Sequence, residues 1–171
     1  MITLFDNVTV NFSNMGEFVS SGEWIHPEIT TPTHELIVVT KGVVYIEEDD
    51  KRYELLPGDV ICLKPGIVHK GYKKSEGVKF FWLHFYCNDY DKIGVYYKKA
   101  PVAYNYSAFF RQLNHQASCS LDNELIECKL ISFLMEVKNG EIGKNKLFFD
   151  MKDNDIYIHL LWVQHILGNF E

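Results

Sequence analysis

The chain has 171 residues, 47% of them apolar, enough for one domain with a sizeable core plus a small appendage, which excludes a disordered chain. Its formal net charge of −6 argues against holding nucleic acid by itself, because that takes a positive surface to displace counterions from phosphates. No run approaches the ~18 apolar residues of a membrane span, and the opening MITLFDNVTVNF lacks a signal peptide's basic and apolar regions, so no membrane partner and a cytoplasmic location are expected.

Phe5 to Met15 and Gly16 to Ile25 read as two short extended pieces, the second broken by His26-Pro27 because proline cannot donate to a strand ladder. Glu35 to Lys41 and Val43 to Glu48 read as strands, with Gly42 as a bend between them. Asp49-Asp50-Lys51 is a hairpin tip from which Arg52 to Leu55 returns. Pro57-Gly58-Asp59 turns the chain into a buried strand, Val60 to Leu63, and Pro65-Gly66 turns it again. His69 to Lys73 is extended, Ser75-Glu76-Gly77 turns, and Val78 to Cys87 is the longest strand. Short strands with regular Gly/Pro punctuation predict a sandwich or barrel.

Composition shifts near residue 100, where leucine, glutamate, lysine and asparagine take over at helical spacing. This predicts a β unit, sandwich or barrel, over 1–100 and a helical region over 101–171. One helix begins around Tyr106, with Phe109, Phe110 and Leu113 as its apolar stripe. A second starts at Leu121-Asp122-Asn123, with Asp122 as N-cap, and ends at Asn139-Gly140; Leu125, Cys128, Ile131 and Met135 share one face. A third spans about Asp155 to Leu167. The four cysteines, Cys62, Cys87, Cys119 and Cys128, form no CxxC pair and read as small buried hydrophobes.

Four elements occur in order between residues 34 and 87: Thr40-Lys41-Gly42, Pro57-Gly58-Asp59, Pro65-Gly66-Ile67-Val68-His69, and Trp82-Leu83-His84-Phe85. Together they resemble the N-terminal cupin-like domain of AraC-type transcription regulators. The resemblance implies a mainly β fold with C-terminal α, a cupin-like jelly-roll barrel followed by two to three helices. It also implies a small-molecule effector in the barrel, a carbohydrate being one class, and a homodimer built through the helices, with Leu125, Cys128, Ile131 and Met135 as the candidate contact face. Tyr157 to Glu171 resembles the stretch leading into that family's helix-turn-helix half, so DNA contact is expected only through a C-terminal domain beyond this sequence.

Trp82 aligns with an aromatic that stacks on the ligand in sugar-binding relatives; a core tryptophan with its N–H satisfied is the other reading. His84 shares its strand face. The family's early-strand basic residue falls in Trp24-Ile25-His26-Pro27-Glu28, which has no arginine. Trp24, His26, Glu35, Tyr45, His69 and Tyr72 complete the candidate ligand-binding set.

The competing function is a metal-dependent cupin enzyme, a dioxygenase or sugar isomerase; a stand-alone carbohydrate-binding cupin is a third. Metal-binding cupins join two histidines and a glutamate from one strand pair to a histidine from the Pro-Gly-x-x-His turn. Glu35 and His69 suit two of those places. The histidines due near Ile29 and Thr31 are absent, and His26 and His34 have the wrong parity and spacing for both to converge. Two ligands leave most of a shell to water, so no metal or other cofactor is expected, and no catalysis.

Overall fold

Most strand signals hold, with corrections before Glu35, at Ser75–Glu76 and beyond Cys87. In the computed structural model, which describes residues 2–3, 7–99, 106–119 and 123–139, the strands are β1 (Ile2–Thr3), β2 (Thr9–Val19), β3 (Glu23–Trp24), β4 (His34–Lys41), β5 (Val44–Glu48), β6 (Lys51–Leu55), β7 (Val60–Leu63), β8 (His69–Lys70), β9 (Ser75–Glu76), β10 (Lys79–Cys87) and β11 (Tyr97–Lys98). The helices are α1 (Tyr90–Ile93), α2 (Ser107–Ser118) and α3 (Asn123–Asn139). The mainly β fold with C-terminal helices is therefore as expected.

The two pieces expected before residue 25 merge as far as Val19: β2 runs through Gly16 because it pairs with β10 from Val10 to Val19, with a bulge beside His84 and Phe85, and Glu23–Trp24 form the separate β3. Ser75–Glu76, expected as a turn, pairs with Glu23–Trp24 instead. Helix α1 and strand β11 carry too few residues to show a period and were not foreseen. Asp122, Gly140 and the helix expected over Asp155 to Leu167 lie outside the described residues. No helix among the described residues is long and apolar enough to cross a membrane.

Antiparallel pairing gives a six-stranded sheet ordered β1-β2-β10-β4-β7-β11, a three-stranded sheet β6-β5-β8, and the β3-β9 pair. The β5-β6 hairpin turns at Asp49 and Asp50, both at positive φ (52° and 59°), the left-handed pair that matches the twist of a tight hairpin. In the Pro57-Gly58-Asp59 turn, Gly58 takes φ 92° and donates its N–H to Val39 O, while Asp59 Oδ2 accepts the Leu56 N–H.

Successive residues of a strand point to opposite faces, so the large sheet has two different surfaces. On one, Leu36, Val38, Val60, Cys62, Phe81, Leu83 and Phe85 pack against Phe110 and Leu113 of α2 and Ile126, Leu130, Phe133 and Leu134 of α3. On the other, Ile37, Val39, Ile61, Leu63 and Phe80 meet Val44, Ile46 and Leu55 of the small sheet. That second layer is the barrel interior. Each such fully buried side chain contributes about 1.5–3 kcal/mol, and the helix-covered face has the larger share of them. Glu127 of α3, wholly buried, accepts the Phe12 N–H at 3.0 Å and so ties the helical layer to β2.

The face of α3 turned to the sheet is Ile126, Leu130, Phe133, Leu134 and Val137. The expected contact stripe lies a step around the helix: Ile131 is buried, whereas Leu125, Cys128 and Met135 are half-buried.

Candidate functional site

Glu35 opens the interior face of β4, in register with His84 on β10, and Trp82 follows His84 on the same face two residues back. His69 enters from β8, paired with Glu48 of β5. His26 arrives by a route with no strand signature. Residues 26–31 run antiparallel to 66–71, held by Ile29 N–H to His69 O (2.9 Å), His69 N–H to Ile29 O (3.0 Å), Gly71 N–H to His26 O (2.9 Å) and Gly66 N–H to Thr31 O (2.8 Å). Gly71 permits this approach, since a Cβ there would lie 2.6 Å from His26 N.

These segments bring His26, Glu35 and His69 together, with one donor atom from each within 4.8 Å of the others. His26 and Glu35 are 6% exposed and His69 is 0% exposed. His69 Nε2 lies 3.1 Å from Glu35 Oε2, and His84 Nε2 lies 3.9 Å from Glu35 Oε1. The His69–Glu35 approach is short enough for an ion pair yet out of line for a hydrogen bond, so among the described residues neither ring nitrogen of His69 has a hydrogen-bond partner. His26 Nδ1 is 2.8 Å from Pro27 O, and His84 Nδ1 is 2.7 Å from Thr33 Oγ1. A carbonyl oxygen only accepts, so the His26 hydrogen sits on Nδ1 and its Nε2 keeps a lone pair. Burial pushes His26 and His84 below the usual imidazole range, with Glu35 opposing the shift. Burial also pushes Glu35 upward, but the surrounding imidazoles outweigh it and hold the carboxyl below its ordinary value.

An aromatic wall continues from this cluster. The Trp82 ring is 5.4 Å from that of His84, and Trp24 is 5.6 Å from His26, 4.6 Å from Phe18 and 5.5 Å from Phe80. Trp82 and Trp24 are half-buried, so part of each indole is open to solvent. Gly16 stands opposite Trp82 in the ladder, and a Cβ there would lie 2.7 Å from Trp82 Cζ2.

Trp24, His26, Glu35, His69, Trp82 and His84 are thus brought into one neighbourhood. Tyr45 and Tyr72 are not. Val44 and Ile46 take the interior side of β5, leaving Tyr45 on the opposite side with Tyr72 (5.5 Å), Lys73 over its ring and Arg52 over that of Tyr72. His34 also leaves, stacking on Phe85 and Tyr90 at 5.2 and 5.0 Å on the helix-facing side. The expectation that only Glu35 and His69 survive as a ligand set is therefore corrected to three residues. Parity within one strand pair does not govern His26, because His26 belongs to a separate crossing segment. Sequence reasoning missed Thr33, Gly16 and Gly71, whose roles depend on partners far away in the chain.

Two surface clefts of about 310 Å³ each, one edged by Glu47, Asp49, Asp50 and Lys70 and the other by His34, Pro65 and Tyr86, hold none of these interior residues. They are open depressions at the surface.

The profile described as the AraC-like ligand binding domain matches residues 16–134. The uncharacterized HTH-type transcriptional regulator YisR of Bacillus subtilis is 33% identical over 75 residues, covering 40% of this chain and 26% of that protein. The match thus spans about a quarter of that relative. Among solved structures, ToxT from Vibrio cholerae is similar over 96% of this chain and 67% of its own, with a TM-score of 0.42 and 11% identity. A cupin-like protein from Thermotoga maritima is similar over 46% of this chain and 68% of its own, with a TM-score of 0.33 and 19% identity.

Proposed function

We propose, from the premise that this chain belongs to the AraC-like ligand binding domain family, that it senses a small organic effector held in the barrel against Trp82 and His84 for a transcriptional regulator. The observation that carries this is the convergence of Trp24, His26, Glu35, His69, Trp82 and His84 on the interior face, next to two half-open indoles. An indole face suits the C–H side of a sugar ring, and the imidazoles and carboxylate beside it suit hydroxyl groups. A carbohydrate is therefore the effector class we favour. The site acts by binding, without turnover.

Residues 1–100 are assigned to sensing and 101–171 to dimerisation and linkage. The half-buried stripe of Leu125, Cys128 and Met135, with Ile131 at its inner edge, is the surface we assign to a second copy of the chain. DNA binding is assigned to a separate helix-turn-helix half. For the effector to switch anything, it must bind two dimer arrangements unequally.

Titrating the chain with a panel of monosaccharides and sugar acids while following tryptophan fluorescence tests the reading. We expect a saturable signal from one class of compound, weakened at least about tenfold, roughly 1.4 kcal/mol, in Trp82→Ala. Binding that is unchanged when Trp82 and His84 are both replaced by alanine overturns the site. Sedimentation that finds only monomers overturns the dimer.

A further inference from the structure

We propose that His26, Glu35 and His69 bind one divalent transition-metal ion, zinc being the probe of choice, inside the barrel. The effector reading does not require this ion, so each stands or falls separately.

Four observations carry the proposal. Three donor atoms, two imidazole nitrogens and one carboxylate oxygen, already lie within 4.8 Å of one another. Zinc bonds such atoms at about 2.0–2.2 Å, which sets tetrahedral donors about 3.4 Å apart, so the set needs to draw together by at most roughly 1.4 Å. All three side chains are buried, where an ionisable group is normally paired or bound to a metal. Among the described residues the ion-pair partners of Glu35 are imidazoles, and no lysine or arginine reaches it. Finally, among the described residues Nδ1 of the fully buried His69 lacks a hydrogen-bond partner, and Nε2 meets only Glu35 Oε2, at 3.1 Å and out of line. A network of hydrogen bonds satisfied among themselves would not leave Nδ1 unmet and hold Nε2 only by that out-of-line approach, whereas a metal takes one of them directly.

The surroundings are those of a ligand shell. His26 directs its Nδ1 hydrogen to Pro27 O, which presents Nε2 as the free donor, as the outer partners of ligating histidines do. His84, oriented in turn by Thr33, stands beside the set with its Nε2 3.9 Å from Glu35 Oε1 and its ring 5.4 Å from that of the half-buried Trp82. Two nitrogens and an oxygen with no thiolate suit zinc, iron(II), nickel or manganese and disfavour copper(I).

The test uses the whole chain, treated with chelator and dialysed, then titrated calorimetrically with zinc and spectroscopically with cobalt(II). The expected result is one ion per chain, a rise in Tm with metal, and cobalt absorption confined to weak visible bands. His26→Gln and Glu35→Gln are each expected to weaken zinc binding by at least about tenfold, with metal-free far-UV spectra and Tm close to the parent as the control for folding. Binding below one equivalent, affinity unchanged in both variants, or a strong near-ultraviolet thiolate-to-cobalt band would overturn the proposal.

Discussion

The two faces of β4 and β10 are built from alternating residues of the same strands, yet they do different work. Leu36, Val38, Phe81, Leu83 and Phe85 look toward the helices and make an apolar layer, with His34 at its edge. Glu35, Ile37, Phe80, Trp82 and His84 look into the barrel, where the layer is apolar at one end and becomes acidic and imidazole-rich at the other. The helix side spends its residues on packing. The barrel side gives up part of its apolar contact to hold groups that need a partner. A shift of one residue in register would exchange the two sets, which is why the pairing must be tightly specified.

This contrast can be broken most forcibly from the helix side. Phe81→Ala removes a ring stacked on Phe110 at 5.6 Å and is expected to cost about 3–5 kcal/mol, seen as a fall in the urea midpoint without loss of secondary structure at low denaturant. A change under 1 kcal/mol, on the order of a surface substitution, would mean that the helices do not form the second half of this core.

The next effect tests the tie between layers. Glu127→Ala strips the acceptor from the buried Phe12 N–H and is expected to cost about 1–3 kcal/mol. Hydrogen exchange should then accelerate at Phe12 more than at Ile37, which lies on the far face. Equal acceleration at both would show that the two faces open as one unit.

The smallest effect is kinetic. Burial pushes the Cys62 thiol far above its ordinary value, whereas Cys119 is exposed at the end of α2. A thiol reagent at neutral pH should label Cys119 at once and Cys62 only at the rate at which the helical layer opens, read by mass spectrometry. Prompt labelling of Cys62 would contradict a closed layer.

How far the sequence reveals this arrangement depends on the range of the interactions. Strands Val44–Glu48, Lys51–Leu55 and Val60–Leu63 follow from local alternation and turn residues, and they fall within a residue of where that pattern puts them. Glu35, His69, Trp82 and His84 were legible as candidates for the same reason, because their motifs are local. His26 was harder: Pro27 signals a loop, and the bonds that carry His26 inward come from His69 and Gly71, more than forty positions away. Gly16 misled by reading as a break, although its partner on β10 fills the space. Tyr45 and Tyr72 look suitable by type, but the side of β5 is set by Val44 and Ile46, which take the core.

Gly16 has one more consequence. The indole of Trp82 rests where a side chain at position 16 would project, so a missing carbon acts as the seat of the largest ring in the cavity. Adding a single methyl group there would leave the tryptophan in place chemically but turn it from its resting angle. Whatever fit this domain has for its effector is therefore written partly on β2, the strand beside the one that carries Trp82.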